Sequence, residues 1–226
     1  MGLLVNVVDV FVDDNGDHGN PLAIVWASPA TRRREQDIAA DLGFSETIFI
    51  DDVTGPSATA RIFTPARQLP FAGHPTVGLA AWFHQGGNDI REINVPAGSV
   101  RVRTDGERAF VTAHAEWSPP FEITRFDSRE EVGAVDPDAY GQGLHYIWAY
   151  TDEAAGHVRA RMFAPDLGIR EDEATGSAAI RLTSELARDL TIVQGRGSVI
   201  HTHSRYLGQQ VEVGGRVGDA RIIEQR

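Results

Sequence analysis

Cysteine is missing from all 226 residues, which removes disulfides, thiolate metal ligands and thiol nucleophiles at once. No apolar run approaches the ~20 residues that a membrane-spanning helix needs. Basic residues are in the minority: 21 face 32 acidic ones, a formal net charge of −11. A nonspecific grip on nucleic acid or an anionic membrane would meet long-range repulsion. The densest basic run, Arg32 to Arg34 in "SPATRRREQDIAADLG", fits a solvated helix face. A G-x-G-x-x-G turn, a P-loop and a nucleophile elbow are also missing, so neither a cofactor nor a metal is expected. The opening "MGLLVNVVDVFVDD" has no basic leader and reaches Asp9 too early for a signal peptide, and the expectation is a cytoplasmic protein. At 42% hydrophobic and 23% charged residues, the chain has ordinary globular composition.

The sequence repeats itself. Arg61, Phe63 and Pro65 of "RIFTP" return as Arg161, Phe163 and Pro165 of "RMFAP", a shift of 100. Gly73-His74 ahead of one apolar helix is echoed by Gly176-Ser177 ahead of another, a shift of 103. The "GSV" that begins at Gly98 begins again at Gly197, a shift of 99. Three landmarks in one order at nearly one offset mark an internal duplication. The expected halves are residues 1–115 and 116–226, divided near the prolines of "EWSPPFE", with the last strand able to return to the first half.

Strand signals dominate: "LLVNVVDVFV", "LAIVWA", "ETIFI", "ARIFT", "SVRVRT", "RAFVTAH", "LHYIWAY", "HVRARMF", "SVIHTH" and "QQVEVGG" are rich in β-branched and aromatic residues. Three helices are predicted. One starts after Ser28-Pro29 and closes at Gly43, a second runs from about Pro75 to Phe83, and a third from Ser177 to about Leu190. The second is apolar on most sides, which calls for burial. If a sheet wraps each glycine-led helix, both N-termini meet at the seam between halves, where their unpaired N–H groups suit an anion. Gly73, Gly176 and Ser177 would then serve one carboxylate-bearing molecule.

Glu46, in "DLGFSETIFI", lies between an aromatic residue and a strand. It is either an edge-strand carboxylate or, if burial beside Phe44 and Ile48 lifts its pKa toward neutrality, a general acid/base. His74 is either a structural ring or a neutral hydrogen-bonding group, since a helix start disfavours the imidazolium. Glu171, Asp172 and Glu173 crowd three carboxylates ahead of the third helix. Such crowding raises pKa values, so that one of them holds a proton for a substrate. His201 and His203 alternate onto one strand face but lack a third metal ligand nearby. Carboxylates, histidine and helix ends suit proton transfer.

Together "VDVF", "GNPLAIV", "GFSETIFI", "RIFTPARQLPFAGHPT", "EDEATGSAA" and "QGRGS" resemble the phenazine biosynthesis PhzF-like proteins, relatives of diaminopimelate epimerase, along nearly the whole chain. The resemblance implies an α/β (α+β) fold of two similar halves, each a rolled sheet around a central helix, and a homodimer. It assigns acid/base catalysis to Glu46, with His74 and Asp172 orienting or polarising the substrate. Gly73, Gly176 and Ser177 would be substrate donors, and Asn20 of "GNP" lies on a further motif. Three positions depart from the pattern: Gln68 for an acidic residue, and Glu173 and Gly197 for prolines. The chain also resembles a shortened version, with trimmed loops between Trp82 and Gly98 and around Trp117 to Gly143.

The expected function is a cofactor-independent isomerase that relocates a proton on a small cyclic or unsaturated carboxylic acid. An epimerase or racemase of an amino-acid-like substrate stays open, with Asp172 as its second base. So does a metabolite-binding protein that has lost catalysis.

Overall fold

The computed structural model describes residues 2–225. In chain order the elements are β1 (Leu3–Val12), β2 (Asn20–Trp26), α1 (Glu35–Leu42), β3 (Glu46–Thr54), β4 (Ser57–Phe63), β5 (Gln68–Leu69), α2 (Gly73–Gln85), β6 (Glu92–Val95), β7 (Gly98–Asp105) and β8 (Arg108–His114). There follow β9 (Glu122–Arg125), α3 (Arg129–Ala134), β10 (His145–Asp152), β11 (His157–Ala164), β12 (Ile169–Asp172), α4 (Gly176–Leu186), β13 (Leu190–Gln194), β14 (Ser198–Arg205), β15 (Gln210–Val217) and β16 (Arg221–Gln225).

The duplication is written in the strand pairing. From β2 the order β2-β3-β4-β6-β7-β8 alternates parallel, antiparallel, parallel, antiparallel, antiparallel. The order β9-β10-β11-β13-β14-β15 gives the same series. Registers match too: Ser57 faces Glu92 in the first half as His157 faces Thr191 in the second. β5 and β12 hang off β4 and β11 in the same way. The halves join where β8 pairs antiparallel with β15. β15 also touches β1, and β16 closes against β1. The fold is mixed α+β, mostly strand, in two similar halves.

Burial explains the helices. Every residue from Gly73 to Ala81 of α2 is buried, consistent with a helix apolar on most sides that packs against β1, β2, β3, β7, β8 and β15. α4 buries Ala178, Ala179, Ile180 and Leu182 against β14 and β15. α1 and α3 lie outside the sheet, each over a smaller cluster: Ile38 and Ala39 with Phe49 and Phe63, and Val132 with Ile147 and Phe163.

Two helix boundaries differ from expectation. α1 begins at Glu35 rather than after Ser28-Pro29, because the Ser28 carbonyl turns back to accept the N–H groups of Thr31 and Arg32. Arg32 to Arg34 therefore precede the helix and do not lie on its face. α4 ends at Leu186, where Ala187 adopts a left-handed conformation (φ 49°), and Leu190 opens β13. No helix among the described residues is long and apolar enough to cross a membrane.

Candidate active site

The two glycine-led helices meet end to end at the seam. A Cβ on Gly73 would stand 3.0 Å from the Gly176 carbonyl carbon, and one on Gly176 would stand 2.9 Å from the His74 nitrogen. Only glycine permits backbones this close. Neither helix start is capped by a side chain. Ala72 has no polar group to offer, and the Thr175 hydroxyl turns away to donate to Asp172 Oδ2 at 2.5 Å. The first-turn N–H groups of both helices thus lack side-chain partners where the halves touch.

Asn20, the first residue of β2, links the groups across this contact. Its Nδ2 donates to Asp172 Oδ1 and to the Ala174 carbonyl, both at 2.9 Å. Its Oδ1 accepts from the Ser45 hydroxyl at 3.2 Å, and its backbone carbonyl accepts from His74 Nε2 at 3.0 Å. A carbonyl oxygen can only accept, so His74 Nε2 carries a hydrogen. The other ring nitrogen, Nδ1, meets Glu46 Oε2 at 2.8 Å, and the titrating proton of the pair lies on that axis. His74 is 3% exposed and the Glu46 side chain 19%. The Phe11 ring, 6.4 Å from that of His74, adds an apolar neighbour.

Electrostatics divides these groups. Burial alone would lift the Glu46 carboxyl, but the hydrogen bond and charge of His74 outweigh it and hold Glu46 below the usual carboxylate range. Burial opposes the His74 imidazolium, yet the Glu46 hydrogen bond and the charges of Glu46 and Asp172 raise its pKa above the ordinary imidazole value. Both results reverse the expectation of a raised Glu46 and a neutral His74. Asp172 is pushed up to about 6, first by burial and then by the Glu46 charge, against the pull of its Thr175 hydrogen bond. A proton-holding carboxyl was expected from crowding among Glu171, Asp172 and Glu173, but the physical cause differs. Glu171 pairs with Arg161 at 2.8 Å, and Glu173 is taken up by Arg196 and Ser198.

A cleft of about 420 Å³ opens over this network. Glu46, Asp172, Thr175 and Ser177 line it, and its apolar walls include Leu69, Phe71, Trp117, Phe121, Met162 and Ile169. Gln68, at the position of an expected acid, stands on the rim. The crossover between halves, Glu116 to Phe121, forms one wall. A second hollow of about 500 Å³, lined by Asp13, Glu107, Arg108 and Arg216, shares none of these residues. His201 and His203 lie elsewhere, on β14, and His203 pairs with Asp189 at 3.0 Å.

Of the residues expected from sequence, Glu46, Asp172 and Ser177 line the cleft, while Asn20, Gly73, His74 and Gly176 lie at the helix contact and are not part of its lining. Sequence reasoning missed Ser45, Thr175 and Gln194. Gln194 Nε2 donates to Thr175 Oγ1 at 2.9 Å and to the Asp172 carbonyl at 3.1 Å. Thr175 carried a usable signal, a hydroxyl residue directly before a glycine-led helix. Gln194 carried none beyond being a polar residue at the end of an apolar strand.

Comparison with known proteins gives the family and the fold. The chain is 28% identical to the trans-2,3-dihydro-3-hydroxyanthranilate isomerase of Pseudomonas aeruginosa, over 84% of this chain and 82% of that one. The enzyme of the same description from Pseudomonas fluorescens is 29% identical over 75% of each chain. Among solved structures, a phenazine biosynthesis protein of the PhzF family from Enterococcus faecalis superposes with a TM-score of 0.76 at 20% identity, covering 99% of both chains. A hydroxyproline epimerase from Agrobacterium vitis shares the fold at a TM-score of 0.57 and 12% identity, covering 99% of this chain and 94% of that one. With residues 8–135 and 110–218 matching its sequence profile, this chain belongs to the PhzC-PhzF family of phenazine biosynthesis-like proteins.

Proposed function

We propose that the seam is the active site of an isomerase that moves a proton between two carbons of a small cyclic or unsaturated carboxylic acid. Membership of an isomerase family gives the reaction class. The observation that supports the mechanism is the Glu46–His74 pair, which keeps a carboxylate ionised in the wall of a largely apolar cleft. The chain has no lysine and no cysteine, so neither a Schiff base to lysine nor a thiolate is available.

The substrate carboxylate lies against the uncapped helix starts, on the N–H groups of Gly73, Gly176 and Ser177. Glu46 takes a proton from one carbon and the bonding electrons move into the unsaturated system. The negative charge that develops toward the carboxylate meets fixed backbone dipoles rather than reorganising water. His74 keeps its proton on Nε2, donates it to the Asn20 carbonyl, and steadies Glu46 through Nδ1. Glu46, now a carboxylic acid, returns the proton to a second carbon, and no group is lost or gained. Asp172, with a pKa of about 6, is close enough to neutral to donate a hydrogen bond to the substrate in weakly acidic solution.

An epimerase is the second reading, favoured by Asp172 across the seam with a pKa suited to a second acid/base. A non-catalytic binding protein is the third. The homodimer, which the family resemblance implies, and a cytoplasmic location belong to the same proposal.

Incubation with trans-2,3-dihydro-3-hydroxyanthranilate and a panel of cyclic unsaturated acids in deuterated water, followed by NMR, separates the three. The isomerase moves the double bonds and places a proton or deuteron on a new carbon. An epimerase exchanges one hydrogen and inverts that carbon. Ligand-induced stabilisation without chemistry or exchange for any compound would leave only a binding protein.

A further inference from the structure

Asn20 and Asp172, which meet across the seam, are joined a second time behind their contact. Ser198 Oγ donates to Glu173 Oε1 at 2.8 Å and accepts from the Gly19 N–H at 2.9 Å. With Asn20 Nδ2 on Asp172 Oδ1 at 2.9 Å, a closed ring runs from Asp172 through Glu173, Ser198, Gly19 and Asn20 back to Asp172. The turn from Gly195 to Ser198 is moulded to the Glu173 carboxylate. The Arg196 N–H donates to both of its oxygens at 3.0 and 3.2 Å, and Arg196 Nε donates to Oε2 at 3.1 Å. A Cβ on Gly195 would lie 2.6 Å from Glu173 Oε2. Ser198 is fully buried and the Glu173 side chain is 15% exposed, so a removed partner would not be readily replaced by water.

We infer that Glu173 is a positioning residue: through Ser198 it fixes the Gly19–Asn20 backbone, and with it the two groups that Asn20 holds, Asp172 and His74. The proline that the family resemblance leads one to expect at this position has no carboxylate with which to close the ring. The inference rests on the seam being the active site proposed above. It gives Glu173 no contact with substrate. Its effect passes through the Asn20 carbonyl to the His74 ring, and through the Asn20 amide to Asp172.

The test uses the full chain and the variants Glu173→Ala, Glu173→Gln and Ser198→Ala, with two readouts. The first is hydrogen exchange of the His74 ring protons by NMR, which needs no substrate. The second is kcat and KM with a compound that the wild type isomerises. In Glu173→Ala and Ser198→Ala, exchange accelerates about tenfold and kcat falls about tenfold with KM within about twofold, as expected for slight misplacement of acid/base groups. Glu173→Gln keeps an oxygen for Ser198 and the Arg196 N–H but turns its NH2 toward Arg196 Nε, whose exposed side chain can swing away, and it recovers part of both losses. Unchanged His74 exchange in Ser198→Ala, or a Glu173→Gln variant as impaired as Glu173→Ala, overturns the inference. If Glu173→Ala does not fold, Ser198→Ala with Glu173→Gln decides. If the wild type turns over nothing, the isomerase reading falls while His74 exchange still reports on the ring.

Discussion

Two carboxylates in one hydrogen-bonded network are driven in opposite directions by their neighbours, and this leaves a signature in stability against pH. Glu46, held low, contributes stability above its ordinary pKa of 4.5 and loses it as pH falls through its folded value. His74, raised, contributes fully below 6.5 and loses it as pH rises through its folded value. Asp172 has the other sign for an acid: with a folded value near 6 against an ordinary 3.8, its ionisation destabilises the fold as pH climbs through that window. Asp172→Asn should therefore raise the melting temperature by a few degrees at pH 7.5. The gain should vanish by about pH 4, where wild-type Asp172 is protonated. Equal melting shifts at both pH values would remove burial of a charge as the cause. These directions were illegible in sequence because His74 and Glu46 meet only through the fold. The residue types were legible, since "GNP", "FSE", "AGHP" and "ATGS" each put a polar group at an element boundary, and their convergence on one cleft was implied by the family resemblance.

The landmark Arg-x-Phe turns out to be the same device in both halves. The Arg61 guanidinium lies 5.8 Å from the Phe63 ring centroid, and Arg161 lies 4.9 Å from that of Phe163. Each arginine then secures an outer helix: Arg61 through Glu35 of α1 at 2.7 Å, Arg161 through the carbonyls of Val132, Gly133 and Val135 at the end of α3. The side chain of Arg161 is 10% exposed and that of Arg61 29%. Arg161→Met should thus destabilise by about 2–4 kcal/mol, since it orphans buried carbonyls and Glu171. Arg61→Met should cost about half as much, because it leaves one buried group without a partner, the Glu35 carboxylate, while solvent reaches Asp51. Chemical denaturation of both variants checks the ranking, and equal losses would contradict it. Gly73→Ala and Gly176→Ala address the helix contact. Each should destabilise by about 1–3 kcal/mol through overpacking, and the double variant by less than the sum because both break one contact. Long strands and the buried helix α2 were readable from composition. The short strands β5, β9 and β12 were not, since two to four residues carry no usable period and are held by their neighbours. The start of α1 was misplaced because Ser28-Pro29, a good helix opening, is also a good turn.

Across the whole molecule the repeat made the two halves and their facing helix starts legible, while the family resemblance supplied the reaction and the acid/base assignment. The repeat predicted two equivalent helix starts, and the structure brings them into backbone contact with the acid/base candidates around them. β15 pairs with β8, β14 and β1, so neither half can complete its sheet without the other. Thermal unfolding followed by far-ultraviolet dichroism and by tryptophan fluorescence should give coincident single transitions. Separated transitions would show that the halves fold alone. What the sequence left out is the shape of the cleft, because its walls come from both halves and from the crossover between them. The account rests most directly on Glu46, and Glu46→Gln tests it with a compound that the wild type isomerises. The glutamine keeps the shape and the contact with His74 but cannot accept a proton from carbon. The expected result is a fall in kcat of about a thousandfold or more, with binding of the compound by calorimetry within about threefold of wild type. Turnover within about tenfold of wild type would contradict the account and take Glu46 out of the proton's path.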